Sequence, residues 1–207
     1  MTDQGRQAHW QGVYTGKREA ELSWFEETPA VSLELIELAG VAPAAAIIDI
    51  GGGTSHLVDT LLDRGFQAVS VLDVSAAALE AAKARLGARS KQVEWIVADI
   101  TDWQPVRLYD IWHDRAAFHF LTDERDRAAY VACLAKAVRP GGHAMIATFA
   151  PDGPERCSGL PVMRYDAERL AAVLGGSFRL VTSRRHEHTT PWGATQRFQF
   201  SLFRRTA

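Results

Sequence analysis

The sequence has 207 residues, 47% of them hydrophobic, and its 23 Lys and Arg residues against 25 Asp and Glu residues give a net charge of −2. The length and apolar content predict one globular domain over residues 1–207, and the charge balance argues against a general nucleic-acid-binding protein, which needs a basic excess. No apolar run reaches the roughly 20 residues of a membrane helix, and Cys133 and Cys157 lack the spacing of a zinc site or disulfide framework, so we expect a cytoplasmic protein without a metal or a membrane partner.

Residues 1–27 combine polar side chains with several aromatic ones. We take four of these aromatic residues as candidates for a lid or a substrate wall: Trp10, Tyr14, Trp24 and Phe25. A simpler interpretation, in which these rings only cap the hydrophobic core, fits the same pattern. A helix is then predicted from Thr28 as its N-terminal cap, with Pro29 in the first turn, to a stop at Gly40.

From residue 28 to residue 150, short apolar strands alternate with helices. The predicted strands are rich in aliphatic residues and cover 46–50, 68–72, 93–97, 108–112 and 143–149. The helices between them cover 54–63, 75–86 and 123–138, and Ser75 caps the second of these. Such alternation predicts a parallel sheet with helices on both faces.

Beyond residue 150 the pattern changes. A loop rich in Gly and Pro (151–161) and a helix (166–174) precede two period-2 strands, 178–185 and 195–203, with no helix between them. These two strands predict an antiparallel hairpin at one edge of the sheet. The expected fold class is therefore α/β: a Rossmann-like, doubly wound, mostly parallel seven-stranded sheet with an antiparallel C-terminal hairpin.

Polar or glycine residues stand at the ends of the first four predicted strands. They are Asp49, Gly51 and Gly53 at the first, Asp73 at the second, Asp99 at the third, and His113, Asp114 and Arg115 at the fourth. Because ligands of such sheets bind beyond the carboxyl ends of the strands, we expect these residues to converge on one site.

The glycine turn and Asp73 together predict a nucleoside site. Asp73 lies about 20 residues beyond the glycines, where a carboxylate accepts hydrogen bonds from both ribose hydroxyls. A dinucleotide site places pyrophosphate at the helix N-terminus and wants a small residue at the position of His56. Asp49 would repel pyrophosphate and attract the ammonium and sulfonium groups of S-adenosylmethionine, which we therefore favour over NAD.

These residues resemble the motifs of class I S-adenosylmethionine-dependent methyltransferases. Residues 47–55 are similar to the family's first motif, Asp73 to its ribose acid, Asp99 and Ile100 to its adenine-contacting pair, and residues 134–142 to the entry of its fifth strand. Ser55 departs from the pattern, since many members carry glycine at that position.

The resemblance implies a role for each matching position. Gly51 and Gly53 would approach the methionyl part, Asp49 its amino end, Asp73 the ribose and Asp99 the adenine amino group, with Val74 and Ile100 flanking the adenine ring. The residues implied near the transferable methyl group are His113, Asp114, Arg115 and Phe118. Of these, Asp114 and His113 are the candidate catalytic residues.

Two shorter similarities concern the methyl acceptor. Residues 109–118 and 126–130 are similar to thiopurine and other thiol methyltransferases. The aromatic segments at 10–14 and 24–29 are similar to the thiol enzymes and to protein lysine methyltransferases of the elongation-factor and citrate-synthase type. We therefore expect in-line methyl transfer to a small-molecule thiol, amine or similar acceptor, with a protein lysine as the alternative. An NAD-binding oxidoreductase and a non-catalytic nucleoside-binding protein are the alternatives from other classes.

Overall fold

Seven strands form one mixed sheet in the computed structural model, which describes the backbone of residues 3–206 and the side chains of residues 5–206. Residues 1 and 2 of the expected lid segment, and residue 207, lie outside the described residues. The strands of the sheet are β1 (Ala46–Ile50), β2 (Ala68–Asp73), β3 (Val93–Val97), β4 (Tyr109–Arg115), β5 (Val138–Phe149), β8 (Phe178–Thr189) and β9 (Thr195–Arg205). A separate two-stranded hairpin consists of β6 (Arg156–Cys157) and β7 (Leu160–Pro161).

The order of the strands in the sheet is β3-β2-β1-β4-β5-β9-β8. The first five run parallel, whereas β9 is antiparallel to β5 and β8 is antiparallel to β9. This topology confirms the predicted Rossmann-like sheet with its C-terminal hairpin. The hairpin strands are longer than predicted, because β8 and β9 stay paired from Phe178↔Arg205 to Thr189↔Thr195.

The helices are α1 (Asp3–Gly16), α2 (Ala30–Leu38), α3 (Leu57–Asp63), α4 (Ala76–Leu86), α5 (Glu124–Ala137) and α6 (Ala167–Leu174). Short 3-10 turns cover Glu19–Glu21, Gly87–Gln92 and Phe118–Phe120. Within residues 3–206, no helix combines the length and the apolar character needed to cross a bilayer.

The helices cover both faces of the sheet because alternate residues of each strand point to opposite sides. Ile47, Val69 and Ile111 pack with residues of α2, α3 and α4 on one face. Ile48 and Trp112 pack with residues of α5 and α6 on the other. Neighbouring positions of β1 and β4 therefore contribute to different cores.

Helix α1 is the largest departure from the sequence analysis, which predicts no helix before residue 28. A polar segment of this length forms a stable helix mainly through tertiary contacts. Such contacts are present: Arg6 and Gln11 hydrogen-bond to residues 64 to 120 positions away along the chain. The local pattern contains no sign of these partners.

Three predicted boundaries are wrong. Thr28 does not cap α2, because Pro29 occupies the cap position and has no side chain that accepts a hydrogen bond. Helix α3 begins at Leu57 rather than residue 54, because residues 51–56 form the turn that follows β1. Strand β5 begins at Val138 rather than residue 143, because Val138 pairs with Tyr109 across an irregularity in the register.

Strand β4 is also longer than predicted, and this moves residues of the expected site. It continues through His113, Asp114 and Arg115, which pair with Met145, Ile146 and Ala147 of β5. The sequence analysis predicts an end at residue 112, before these polar side chains. Because they lie within the strand, His113 and Asp114 point to opposite faces of the sheet.

The Asp114 carboxylate is fully buried against α5. Tyr130 Oη donates to it at 2.7 Å, and the backbone N–H groups of Ala117 and Phe118 donate at 2.9 and 3.1 Å. Trp112 Nε1 in turn donates to Tyr130 Oη at 2.8 Å. This network fixes the chain where it leaves β4.

We expect Tyr130→Phe to lower the free energy of unfolding by roughly 2 kcal/mol, because Asp114 and Trp112 each lose a buried hydrogen bond. The matched control is Tyr165→Phe: the Tyr165 hydroxyl is buried and has no hydrogen-bond partner among the described residues, so its removal should leave the free energy of unfolding unchanged or raise it. Urea unfolding of both variants measures the difference. Equal losses in the two variants would show that the network does not stabilise the fold.

Candidate functional site

A cavity of about 1020 Å³, including its open mouth, lies at the carboxyl ends of the parallel strands. It is where the sequence analysis expects the polar strand ends to converge. The expected site residues that line it are Trp10, Tyr14, Trp24, Asp49, Gly51, Asp73, Val74, Asp99, Ile100, His113 and Arg115.

The glycine turn after β1 has no space for side chains. Gly51 and Gly53 have φ values of 63° and 52°, which other residues rarely adopt. A Cβ atom on Gly52 would lie 2.6 Å from Val71 Cγ1 and 2.7 Å from Asp49 Oδ2. A Cβ atom on Gly51 would lie 2.6 Å from Ala117 Cβ. The turn therefore presents bare backbone to the cavity, directly above the Asp49 carboxylate.

Asp49 is buried, and its partner is His113 on the neighbouring strand. The Nδ1 atom of His113 lies 2.6 Å from Asp49 Oδ1, and its Nε2 atom lies 2.9 Å from Ser32 Oγ of α2. A neutral imidazole satisfies both contacts if Nδ1–H donates to Asp49 and Nε2 accepts from the Ser32 hydroxyl. Both ring nitrogens of His113 are then engaged.

Asp73 is the last residue of β2, and its carboxylate is buried. It accepts a hydrogen bond from the Ser75 backbone N–H at 2.8 Å and further bonds from the N–H groups of Gly53 and Val74. Burial raises the pKa of Asp73 to about 7, although these bonds oppose the rise. Within residues 5–206, no ion pair includes Asp73.

Asp99, beyond the end of β3, is paired with a residue of α1. Arg6 Nε donates to Asp99 Oδ2 at 2.8 Å, and the Thr101 hydroxyl and backbone N–H donate to Oδ1 at 2.6 and 2.9 Å. Burial opposes ionisation, but the bonds from Thr101 and Arg6 outweigh it and hold the pKa of Asp99 below its ordinary value. Arg6 also pairs with Asp126 of α5.

Helix α1 lies across the cavity. Arg6, Trp10 and Tyr14 follow one another at intervals of four residues, so they share one face of α1, and all three line the cavity. Gln11 Oε1 accepts hydrogen bonds from Ser75 Oγ at 3.1 Å and from the Ala77 backbone at 3.2 Å. The helix is thus held at both the Asp73 and the Asp99 ends.

Arg115 is buried at the end of β4 and is already paired. Its Nη1 donates to the carbonyl oxygen of Trp24 at 2.8 Å, and its Nη2 lies 2.9 Å from Glu26 Oε1. Burial lowers the pKa of Arg115, although Glu26 opposes this. His188 also contacts Glu26, at 3.2 Å, and the carbonyl oxygen of Ser23, at 2.7 Å. These contacts fix the segment that carries Trp24.

Four expected site residues do not line this cavity. Gly53 lies in the turn after β1, where a Cβ atom would contact Tyr14 Oη. Asp114 is in the buried network on the opposite face of the sheet, as the alternation along β4 requires. The Phe118 ring is fully buried against Tyr130 and Tyr165. Phe25 packs edge-on against His56, outside the cavity, at a centroid distance of 5.6 Å. The expected placement of Asp114 and Phe118 near a reacting group is therefore corrected.

The structure also brings residues to the cavity that the sequence analysis missed. The most prominent are Arg6, Phe120, Cys157, Gln196 and Phe198. A four-residue spacing links Arg6 to Trp10 and Tyr14, so a helical interpretation of residues 3–16 would have found it. Gln196 and Phe198 alternate on one face of β9, but only the sheet order places that face near β4.

Residues 47–142 match a family of methyltransferase domains. The chain is 32% identical over 110 residues to malonyl-[acyl-carrier protein] O-methyltransferase of Anoxybacillus flavithermus, a match that covers 53% of this chain and 40% of that relative. It is 30% identical over 122 residues to trans-aconitate 2-methyltransferase of Azoarcus sp., covering 58% of this chain and 46% of that relative. The matched regions thus span less than half the length of these curated relatives.

The fold is similar to that of N-methyltransferase NodS from Bradyrhizobium japonicum in complex with S-adenosyl-L-homocysteine. The TM-score is 0.72 at 16% identity, over 98% of this chain and 100% of that chain. At this identity the likeness concerns the fold.

The raised pKa of Asp73 should make stability depend on pH. An unfolded Asp titrates near about 3.9, so between that pH and about 7 the folded protein retains a proton that the unfolded chain loses. The stabilisation from Asp73 is therefore complete at low pH and lost as the pH rises through about 7.

Asn does not titrate, so we compare Asp73→Asn with the unmutated protein. We expect the difference between their free energies of unfolding to increase by roughly 2 kcal/mol in favour of the variant from about pH 5 to pH 8. Urea unfolding without ligand measures this. Both proteins retain Asp114, whose pKa burial also raises, so the comparison isolates Asp73. A difference that stays constant with pH would contradict the assignment.

Proposed function

We propose that this chain transfers a methyl group to a small-molecule acceptor bound in its cavity. The premise is that residues 47–142 form a methyltransferase domain of the class I S-adenosylmethionine-dependent family. S-adenosylmethionine is the methyl donor of this family. The acceptor and the role of each residue are the parts that we propose.

The observation that carries the proposal is the pair of buried carboxylates, Asp49 and Asp73, on either side of a turn with no side chains. The Asp49 carboxylate is so close to the turn that a Cβ atom on Gly52 would contact it. A pyrophosphate at this position would meet a negative charge, whereas a ligand carrying ammonium and sulfonium groups would be attracted. The donor set therefore fits S-adenosylmethionine and disfavours NAD.

We assign the cofactor residues by their order along the sheet edge. Asp99 and Ile100 would hold the adenine beyond β3, and Asp73 with Val74 would hold the ribose beyond β2. Gly51 and Asp49 would hold the methionyl part beyond β1. Gly53 would act indirectly, because its contact with Tyr14 sets the distance between α1 and the turn: a Cβ atom on Gly53 would lie 2.3 Å from Tyr14 Oη.

When bound, S-adenosylmethionine supplies an already activated methyl group. The residues of this chain then have to align the acceptor and exclude water, which together account for roughly 7–11 kcal/mol in well-oriented reactions. Trp10, Trp24 and Phe120 provide the dry wall for this, with ring centroids 4.9 to 5.8 Å apart. A positioning mechanism of this kind needs no strong base.

Neither of the two catalytic candidates from the sequence is placed to remove a proton. Both ring nitrogens of His113 are engaged, by Asp49 and Ser32. Asp114 lies on the other face of the sheet. We therefore assign His113 to positioning Asp49 and Asp114 to stability. We expect the acceptor's proton to leave to bulk water at the open mouth of the cavity, outside the dry wall.

A small-molecule acceptor fits the covering of the cavity by α1. A protein lysine would have to reach the site past Trp10 and Tyr14, which lie between the strand ends and the outer face of that helix. The names of the two curated relatives give trans-aconitate and a malonyl group on a carrier protein as their acceptors. We also propose that α1 is the lid over the cofactor, since Arg6 and Gln11 attach it to both ends of the site.

Cofactor binding tests the first half of the proposal. We expect S-adenosylhomocysteine to bind with micromolar affinity in calorimetry and NAD to show no binding. Asp73→Asn should weaken S-adenosylhomocysteine binding by about 100-fold, because the ribose loses charge-assisted hydrogen bonds. The exposed Glu80→Gln, on α4, is the matched change of one carboxylate and should have no effect. Unchanged affinity in Asp73→Asn would rule out the assignment.

Label transfer tests the second half. Incubation with methyl-labelled S-adenosylmethionine and a fractionated cell extract should place the label in the small-molecule fraction, and Asp73→Asn should abolish the transfer. Label appearing mainly in protein bands would support the lysine alternative instead. Glu80→Gln again serves as the control for loss of a surface charge.

A further inference from the structure

The cavity has a second half that the proposed cofactor residues do not use. Those residues stand at the ends of β3, β2 and β1, whereas the cavity continues past the end of β4 and reaches β9. We name this second half the acceptor pocket and define it by Trp10, Trp24, Phe120, Cys157, Gln196 and Phe198. The following inference rests on the proposed function.

The walls of the acceptor pocket are flat rings set edge to face. Trp10 contacts Trp24 at a centroid distance of 5.8 Å and Phe120 at 4.9 Å, with interplanar angles near a right angle, 77° and 76°. The Phe198 ring lies on another side of the pocket, below the Arg115 guanidinium. Walls of this type favour a planar aromatic ligand, which stacks on one ring while meeting the edge of another.

The acceptor pocket offers no free charge to a ligand. Arg115 is the guanidinium at this end of the cavity. Its charge is balanced by Glu26, 2.9 Å away, and its Nη1 donates to the carbonyl oxygen of Trp24, whereas its Nε and Nη2 have no hydrogen-bond partner among the described residues. His188 adds a further contact to Glu26. An anionic acceptor would bring a second negative charge to a buried pair that is already neutral, and a buried charge without a counter-ion is costly. The pocket therefore favours an uncharged ligand.

Gln196 supplies a polar contact that nothing in the structure satisfies. Its Oε1 atom is buried and has no hydrogen-bond partner among the described residues. Gln196 lines the cavity two residues before Phe198 on β9. A buried amide oxygen without a donor is costly, so a ligand that brings an N–H or O–H group to it gains affinity.

We propose that the acceptor pocket binds an uncharged planar aromatic or heteroaromatic molecule, and that an N–H or O–H group of this molecule donates a hydrogen bond to Gln196 Oε1. Aromatic walls select the ring, the paired Arg115 rejects added negative charge, and Gln196 selects a donor. The acceptor class would thus differ from the carboxylate-bearing malonyl group and trans-aconitate.

Matched probes test each part of the proposal on the full chain saturated with S-adenosylhomocysteine. Indole carries a ring N–H, benzofuran is its isostere without a donor, and indole-2-carboxylate and trans-aconitate add negative charge. Binding is measured by calorimetry. We expect indole to bind about tenfold more tightly than benzofuran, which corresponds to one hydrogen bond, and both acids to show no binding.

The variants Gln196→Leu and Trp10→Leu separate the hydrogen bond from the walls. Gln196→Leu should remove the difference between indole and benzofuran without changing S-adenosylhomocysteine affinity. Trp10→Leu should weaken both neutral probes alike. Indole and benzofuran binding equally to the unmutated protein, or trans-aconitate binding while indole does not, would overturn the inference. If the unmutated protein does not bind S-adenosylhomocysteine, the proposed function itself is contradicted.

Discussion

The burial of Asp73 is the constraint on which the rest of the site depends. A carboxylate removed from water needs compensation, and among the described residues this one has only the backbone N–H groups of Gly53, Val74 and Ser75 as hydrogen-bond donors. Asp49 on the adjacent strand is compensated by His113, so the two acids differ in what they still require. The close-packed glycine turn, the strand end and α1 all surround this acid, and the arrangement depends on the sheet holding its backbone donors in place.

The meeting of Asp49, Gly51, Asp73 and Asp99 at one cavity could be predicted from sequence because its signals are local. A short aliphatic strand, a glycine turn and an acid at the next strand end each occupy a few neighbouring positions, and parallel strands bring their ends together. The environment of His113 and Asp114 was not predictable in the same way. They are adjacent in sequence, and only the extent and register of β4 show that one faces the cavity and the other faces α5. Helix α1 was missed because its stabilising partners are far away in the chain.

The two halves of the cavity differ in where their residues come from. The acids and glycines of the cofactor half lie within residues 47–142, the region that matches the methyltransferase domain family. The acceptor pocket takes Trp10 and Trp24 from before this region, and Cys157, Gln196 and Phe198 from after it. The matched region is thus combined with cavity walls from the flanking segments. Under the proposed function, acceptor preference can change through these segments while the cofactor residues stay the same.

The position of α1 also has a consequence for the order of folding. Arg6 bonds to Asp99 and Asp126, which follow it by 93 and 120 residues. Long-range contacts of this kind form late, because closing the intervening loop costs chain entropy before any contact is gained. The segment that bears Trp10 and Tyr14 therefore completes its docking only when α5 and the residues after β3 have joined α4, on which Gln11 docks. An intermediate in which the sheet is assembled and α1 is still undocked would expose both carboxylates and lack one wall of the cavity.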